Sequence, residues 1–273
     1  MITAKIIEDS ISIGGKRITT FQLTYPRFIH SELMTHRVFS RNASSSRAIP
    51  VKKMIQMVRD EPAMPIHWGA NQPGMQAKAE IQHVGVAKDI WLRAARNAAN
   101  IAEEMEQVGL HKQVANRILE PFQHIHVVLT ATEYSNWFEL RAHPDAQPEI
   151  QELAVQMGDL MYGNEPKILL PGQWHLPYVT KEDRLCTINL GEDSEDLRKI
   201  SAARCCRVSY LKHDGTAANL IDDLHLCDKL AGAKPIHASP FEHQATPLDN
   251  PDERSGNFIG WRQYRKDIEN SFK

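Results

Sequence analysis

Residues 21–50 read FQLTYPRFIHSELMTHRVFSRNASSSRAIP, and three patterns succeed one another in them. Phe21, Leu23 and Tyr25 alternate with Gln22 and Thr24, the period of two that marks a strand with one buried face, and Pro26 ends it. FIHSELMTHRVF then has helical spacing. SRNASSSRAIP is rich in serine and short of apolar residues, so it reads as a loop or a ragged helix end that exposes its side chains.

Helical patterns dominate the chain beyond Pro50. From Lys78 to Val108, the residues Ile81, Val84, Ala87, Ile90, Trp91, Ala94, Ala98, Ile101 and Met105 recur three or four apart, which predicts one long amphipathic helix stopped by Gly109. A shorter helix is expected over His111–Leu119, ending before Pro121, while Ile125 to Thr132 suits a strand or a helix. Pro148 opens a further helix with Ile150, Leu153, Ala154, Met157 and Leu160 on one face. Ser194 is placed to cap another through Leu197, Ile200 and Ala203. The few strands do not alternate with the helices as in a doubly wound sheet, so the expected class is α+β. The proline-punctuated stretch from Pro166 to Tyr178 is the one candidate boundary. The roughly 95 residues beyond it would make a weak core alone, which favours a single domain over 1–273. The tail SGNFIGWRQYRKDIENSFK is expected to form a short amphipathic helix docking on the first half.

Composition excludes several classes of function. Among 273 residues, 32 basic side chains nearly balance 34 acidic ones, so no global field draws in a nucleic-acid polymer or an anionic membrane, and any phosphate site must be local. No apolar run is long enough for a signal peptide or a membrane span, and a cytoplasmic protein is expected. The four cysteines, Cys186, Cys205, Cys206 and Cys227, include no CxxC and read as reduced, structural thiols. His124 and His126 could share a strand face as metal ligands, but no carboxylate cluster accompanies them and no metal is expected.

The densest polar cluster is His36, Arg37, Ser40, Asn42, Ser45 and Arg47. Guanidinium groups pair with phosphate oxygens in bidentate fashion, and hydroxyls complete an anion cradle. The same residues would also make a basic surface loop.

HRVFSRNASSSR resembles the signature of the flavin-dependent thymidylate synthases, an Arg-His-Arg triplet with a serine eight residues after its last arginine, here Arg37 and Ser45. Thr35 stands in place of the first arginine, and Ala43 in place of a glutamate. A second block, NWFELRAHPDAQPEIQ, is similar to the family pattern at Asn136, Leu140, Arg141, Ala146, Gln147, Glu149 and Ile150, with Asp145 where the family often has a histidine. GLHKQVANRIL resembles a segment whose arginine reaches the nucleotide phosphate; Arg117 is the candidate, although the simplest register places Asn116 there. SAARCCRVSY and HASPFEH resemble the segments with which the family normally begins, yet here they come last. This order is that of a circular permutation, with 1–165 carrying the motif and helical part and 194–273 equivalent to the family N-terminus. Rejoining surface termini elsewhere can preserve one core. The stretches 50–77 and 164–193 resemble nothing nameable.

The resemblance implies transfer of a methylene from methylenetetrahydrofolate to C5 of deoxyuridylate, mediated by FAD that NADPH reduces, with no cysteine nucleophile. It implies Arg141 at the pyrimidine carbonyl, and Ser45, Arg47 and Arg117 at the nucleotide phosphate, with Arg141 and Ser45 as the catalytic pair. His36, Arg37, Asn136, Ser209, His237 and Ser239 fall on the flavin side, and the assembly is a homotetramer with sites shared between subunits. A pyrimidine nucleotide hydroxymethylase, and a flavin- or nucleotide-binding module without turnover, remain the alternatives.

Overall fold

A computed structural model describes residues 1–186, 194–209, 216 and 219–270. The alternation at Phe21, Leu23 and Tyr25 lies in strand β2 (Arg17–Pro26), between β1 (Thr3–Ser12) and, farther along the chain, β4 (His124–Ala131). β2 runs antiparallel to both, with Phe21 opposite Leu129 and Leu23 opposite Val127. The segment Ser40–Ala43, expected to be loop, is strand β3, antiparallel to the outer side of β4. Its polar residues are accommodated because the ladder satisfies the backbone while Ser40 is fully buried. Parallel pairing of β5 (Lys167–Leu169) with β1 completes the order β3-β4-β2-β1-β5.

The period of two sends the two faces of β2 to different neighbours. On one face, Phe21, Leu23, Tyr25, Val127 and Leu129 pack against α1 (His30–Met34), α5 (Ser135–Arg141) and α6 (Pro148–Gly163) through Leu33, Trp137, Ile150, Leu153 and Met157. A second core joins α2 (Val51–Asp60) to α3 (Val84–Gln107), with α4 (Lys112–Ala115) and a 3-10 helix over Asn116–Phe122 beneath them. The expected helix His111–Leu119 is thus divided, and Pro121 lies inside the 3-10 turn. α3 starts at Val84, later than the pattern predicts, because Ile81 donates its N–H to Trp68 in the preceding loop. Its buried face is Ala95, Ala98, Ala99 and Ala102; close approach of α2 selects small side chains, and Ile90 and Ile101 stay 51% and 41% exposed.

The other sheet face is covered by the C-terminal part of the chain. Beyond α7 (Lys181–Cys186) come α8 (Glu195–Arg207) and α9 (Leu220–Ala231), then a 3-10 turn over Ser239–Glu242. β6 (Ala245–Pro247) comes next, then the hairpin β7 (Arg254–Ser255) and β8 (Phe258–Ile259). β9 (Trp261–Gln263) pairs with β6 and leads into α10 (Tyr264–Asn270). Tyr178, Cys205 and Val208 pack on Val128, and Tyr178 donates its hydroxyl to Gln22 at 2.9 Å. A buried hydrogen-bonded chain crosses the same face, from Ser10 to His175 at 2.9 Å, His175 to Thr20 at 2.8 Å, Thr20 to Thr130 at 2.7 Å and Thr130 to His243 at 2.8 Å. The C-terminal helix does not dock on the first half: Tyr264 packs with Trp174, Leu197 and Phe241 in a third core formed by α8, α9 and the 3-10 turn.

Candidate active site

Arg141 ends α5 with its guanidinium drawn back over α1. Its Nε donates to His36 Nε2 at 3.0 Å, and the terminal nitrogens reach Glu32 at 3.4 Å and Thr35 Oγ1 at 3.3 Å. Thr35, standing where the resembling family has an arginine, therefore acts as an acceptor for Arg141. His36 is 7% exposed, edge-on to Trp137 at 4.9 Å, and hydrogen-bonded to Asn136. Burial, with the Arg141 and Arg41 cations beside it, holds its pKa below the usual imidazole value. A neutral His36 keeps Nε2 free to accept from Arg141, so the pair orients the guanidinium. Arg41, which the sequence reading did not single out, folds back from β3 and donates to the carbonyls of Met34 at 3.1 Å and His36 at 3.2 Å. A cation capping a helix C-terminus is the general signal that could have found it.

Arg141 lines a cleft of about 940 Å³. Glu32, Asp145, Gln147 and Gln151 lie beside it, and the segment from Pro65 to Lys78 forms the facing wall.

Ser45 and Arg47 are exposed on the turn after β3, where the Ser45 hydroxyl accepts from the Arg47 N–H at 3.3 Å. Asn116 is fully buried and holds this turn by donating to the carbonyls of Ser46 at 2.7 Å and Ile49 at 2.9 Å. Arg117 is the exposed member of the pair and binds Glu120 at 2.7 Å, the carboxylate that also accepts from Ser46. Ser45, Arg47 and Arg117 thus share one region of the surface, and none of them lines the Arg141 cleft.

The flavin-side candidates form two groups. His36 and Asn136 are in contact, and Arg37, next to His36 in sequence, is exposed. Ser209 follows α8, just past Val208 at a positive φ of 57°, and His237 and Ser239 are exposed around the Ser239–Glu242 turn. β3 ties the groups together. Asn42 donates to the Cys205 carbonyl at 3.2 Å, and Gln263 donates both to the Ser40 hydroxyl and to the Glu242 carbonyl at 3.2 Å each.

His124 and His126 line a separate cavity of about 470 Å³ with Met57 and Phe122. His126 is hydrogen-bonded to Thr24 at 2.9 Å, and His124 to the Met1 amino group at 2.6 Å. Among the described residues no group of three His, Cys, Asp or Glu side chains is placed to share a metal ion, and no helix is long and apolar enough to cross a membrane.

Comparison with curated proteins found no match. Among solved structures, the chain is similar to the UMP/dUMP methylase PolB from Streptomyces cacaoi bound with 5-Br dUMP. That likeness has 17% identity, 59% of this chain and 90% of that one covered, and a TM-score of 0.49. The same enzyme bound with 5-Br UMP gives 18% identity, 59% and 88% coverage, and a TM-score of 0.48. The model of the thymidylate synthase complementing proteins matches residues 16–167, a stretch holding β2, β3, β4, the Arg141 cleft and α6. With more than half of its length so matched, the chain belongs to the family of thymidylate synthase complementing proteins.

Proposed function

We propose that the chain is a flavin-dependent thymidylate synthase acting on deoxyuridylate, with methylenetetrahydrofolate as one-carbon donor and NADPH as reductant. The observation that carries this reading is Arg141, a cation oriented by a neutral His36 at the edge of a cleft large enough for a nucleotide. A fixed guanidinium aimed at a pyrimidine carbonyl stabilises the enolate-like negative charge that makes C5 nucleophilic, and does so without reorganising. Ser45 and Arg47 would receive the phosphate on their exposed turn, with Arg117 beside them, and orient the ring by its far end.

The donor set around β3 fits a flavin dinucleotide: Arg37 offers a cation for the diphosphate, and Ser209, His237, Ser239 and Asn136 offer hydrogen-bonding groups from both sides of the strand. When bound and reduced, FAD would supply the hydride that converts the transferred methylene to a methyl group. Contacts from β3 to Cys205 and, through Gln263, to Glu242 support the reading of 194–273 as the permuted N-terminal part of one domain. Separation of the phosphate residues from the Arg141 cleft supports a homotetramer whose sites are completed by a neighbouring copy, and the exposed Val86, Ile90 and Ile101 of α3 offer an apolar face for such an assembly.

A hydroxymethylating relative is the second reading, favoured by Asp145, a carboxylate in the cleft able to retain a water that would trap the methylene. The deciding experiment incubates purified protein with deoxyuridylate, methylenetetrahydrofolate and NADPH, records the flavin spectrum and weighs the product. A methyl product supports the synthase; a product heavier by one oxygen supports the hydroxymethylase. A protein that binds nucleotide but is not bleached by NADPH and yields neither product would be a binding module.

A further inference from the structure

The segment from Pro65 to Lys78 is built as a fixed wall. Ala70 donates to the Ala79 carbonyl at 2.7 Å, Trp68 to the Glu80 carboxylate at 3.0 Å, and His67 is hydrogen-bonded to the Ala77 carbonyl at 2.7 Å. The limbs cross so closely at Gly69 that a β-carbon there would come within 2.3 Å of the Ala77 side chain. Ile66 is pinned to the body of the protein by donating its N–H to the buried Glu149 at 2.9 Å.

Gln76, which lines the cleft together with Arg141, is held at both ends. Gln72 donates to its backbone carbonyl at 2.5 Å, and its own side-chain nitrogen donates to the Asp145 carbonyl at 3.3 Å. A carbonyl can only accept, so the amide nitrogen is the atom turned to Asp145, which leaves Oε1 as the acceptor of the group.

The cleft thus offers a donor, Arg141, and an acceptor, Gln76. Uracil presents carbonyl acceptors on either side of an N3–H donor, whereas cytosine presents an acceptor at N3 beside an amino donor. With the phosphate assigned to Ser45, Arg47 and Arg117, which lie outside the cleft, the proposed function leaves the base to enter it. We propose that Gln76 is a specificity-determining residue that accepts from N3–H of a uracil whose carbonyl Arg141 receives, and so excludes 4-aminopyrimidines. This rests on the reading of Arg141 as the base-binding group.

The test is calorimetric titration of the full chain with deoxyuridylate, deoxycytidylate and deoxyribose 5-phosphate, for wild type, Gln76→Ala and Gln76→Met, the last keeping the bulk of the wall. Wild type should prefer deoxyuridylate, and both variants should lose roughly ten-fold to a hundred-fold of that preference, with deoxyribose 5-phosphate binding unchanged. An undiminished preference in Gln76→Met overturns the inference, as does a wild type that binds both nucleotides equally. If wild type binds deoxyribose 5-phosphate but neither nucleotide, the base-binding role of Arg141 fails with it.

Discussion

Asn42, in the middle of β3, donates its side-chain amide to the backbone carbonyl of Cys205, 163 residues away in sequence, at 3.2 Å. The strand formed by Ser40–Ala43, within the stretch that resembles the family signature, is therefore bounded by the end of α8. Truncation after Leu190 removes that contact together with the Gln263 and His243 bonds, and should abolish flavin binding. The check is the visible spectrum of purified residues 1–190; a folded, yellow fragment would remove the case for a permuted domain.

The turn after β3 separates direct from indirect roles. Arg47→Ala should weaken deoxyuridylate about ten-fold to a hundred-fold while leaving flavin affinity in place, since a charge-assisted hydrogen bond to phosphate is worth about 1.5 to 3 kcal/mol. Asn116→Ala leaves the Ser46 and Ile49 carbonyls without their buried donor, so it should reduce both nucleotide affinity and stability, the latter by about 1 to 3 kcal/mol. Paired titrations and urea melts distinguish the two; equal loss of both ligands in Arg47→Ala would make that arginine structural.

Cysteine chemistry should be dispensable. Burial pushes the Cys205 and Cys206 thiols upward, and burial with nearby Asp228 takes Cys227 up to about 12, so none of these three is poised as a thiolate for attack on C6 of a pyrimidine. Replacing all four cysteines with serine or alanine should leave single-turnover chemistry within about ten-fold, an effect of roughly 1.4 kcal/mol from packing. Loss of product by orders of magnitude on folded, flavin-loaded protein would restore covalent catalysis.

Acid should destabilise the fold through its internal imidazoles. Burial lowers His175 and His243 from 6.5 to about 3, so the folded state holds them neutral while the unfolded chain takes up protons. Their contribution is complete above pH 6.5 and declines as pH falls toward about 3. Glu8 acts in the opposite sense: burial raises it from 4.5 to about 7, so its contribution is lost as pH rises through that interval. Two imidazoles outweigh one carboxyl, and the urea midpoint should fall between pH 6.5 and pH 4. A midpoint that rose over that range would contradict the buried chain.

β2 and α6 were legible because their partners repeat at the period of the element: Phe21, Leu23 and Tyr25 face one core, as do Ile150, Leu153 and Met157. β3 was not, since Ser40 and Asn42 find their partners at Gln263 and Cys205, which no local pattern reveals. The face of α3 is hidden from periodicity because hydrophobicity favours Ile90 and Ile101, while interhelical distance favours the alanines. The site divides in the same way. His36, Asn136 and Arg141 are found through their motifs and do meet, whereas Gln76 takes its position from loop hydrogen bonds, which leave no periodic trace.

Synthesis proceeds from the N-terminus, so β3 leaves the ribosome long before His243 and Gln263 exist to meet it. The nascent chain can pair β1, β2 and β4 and pack α6 early, but part of that sheet face stays open, with Thr130 lacking its His243 partner, until residues 239–263 emerge. On the proposed reading a flavin site would wait for residues 239–263, and a polypeptide stalled before residue 239 would present a folded face for chaperones to shield without any capacity to retain the cofactor.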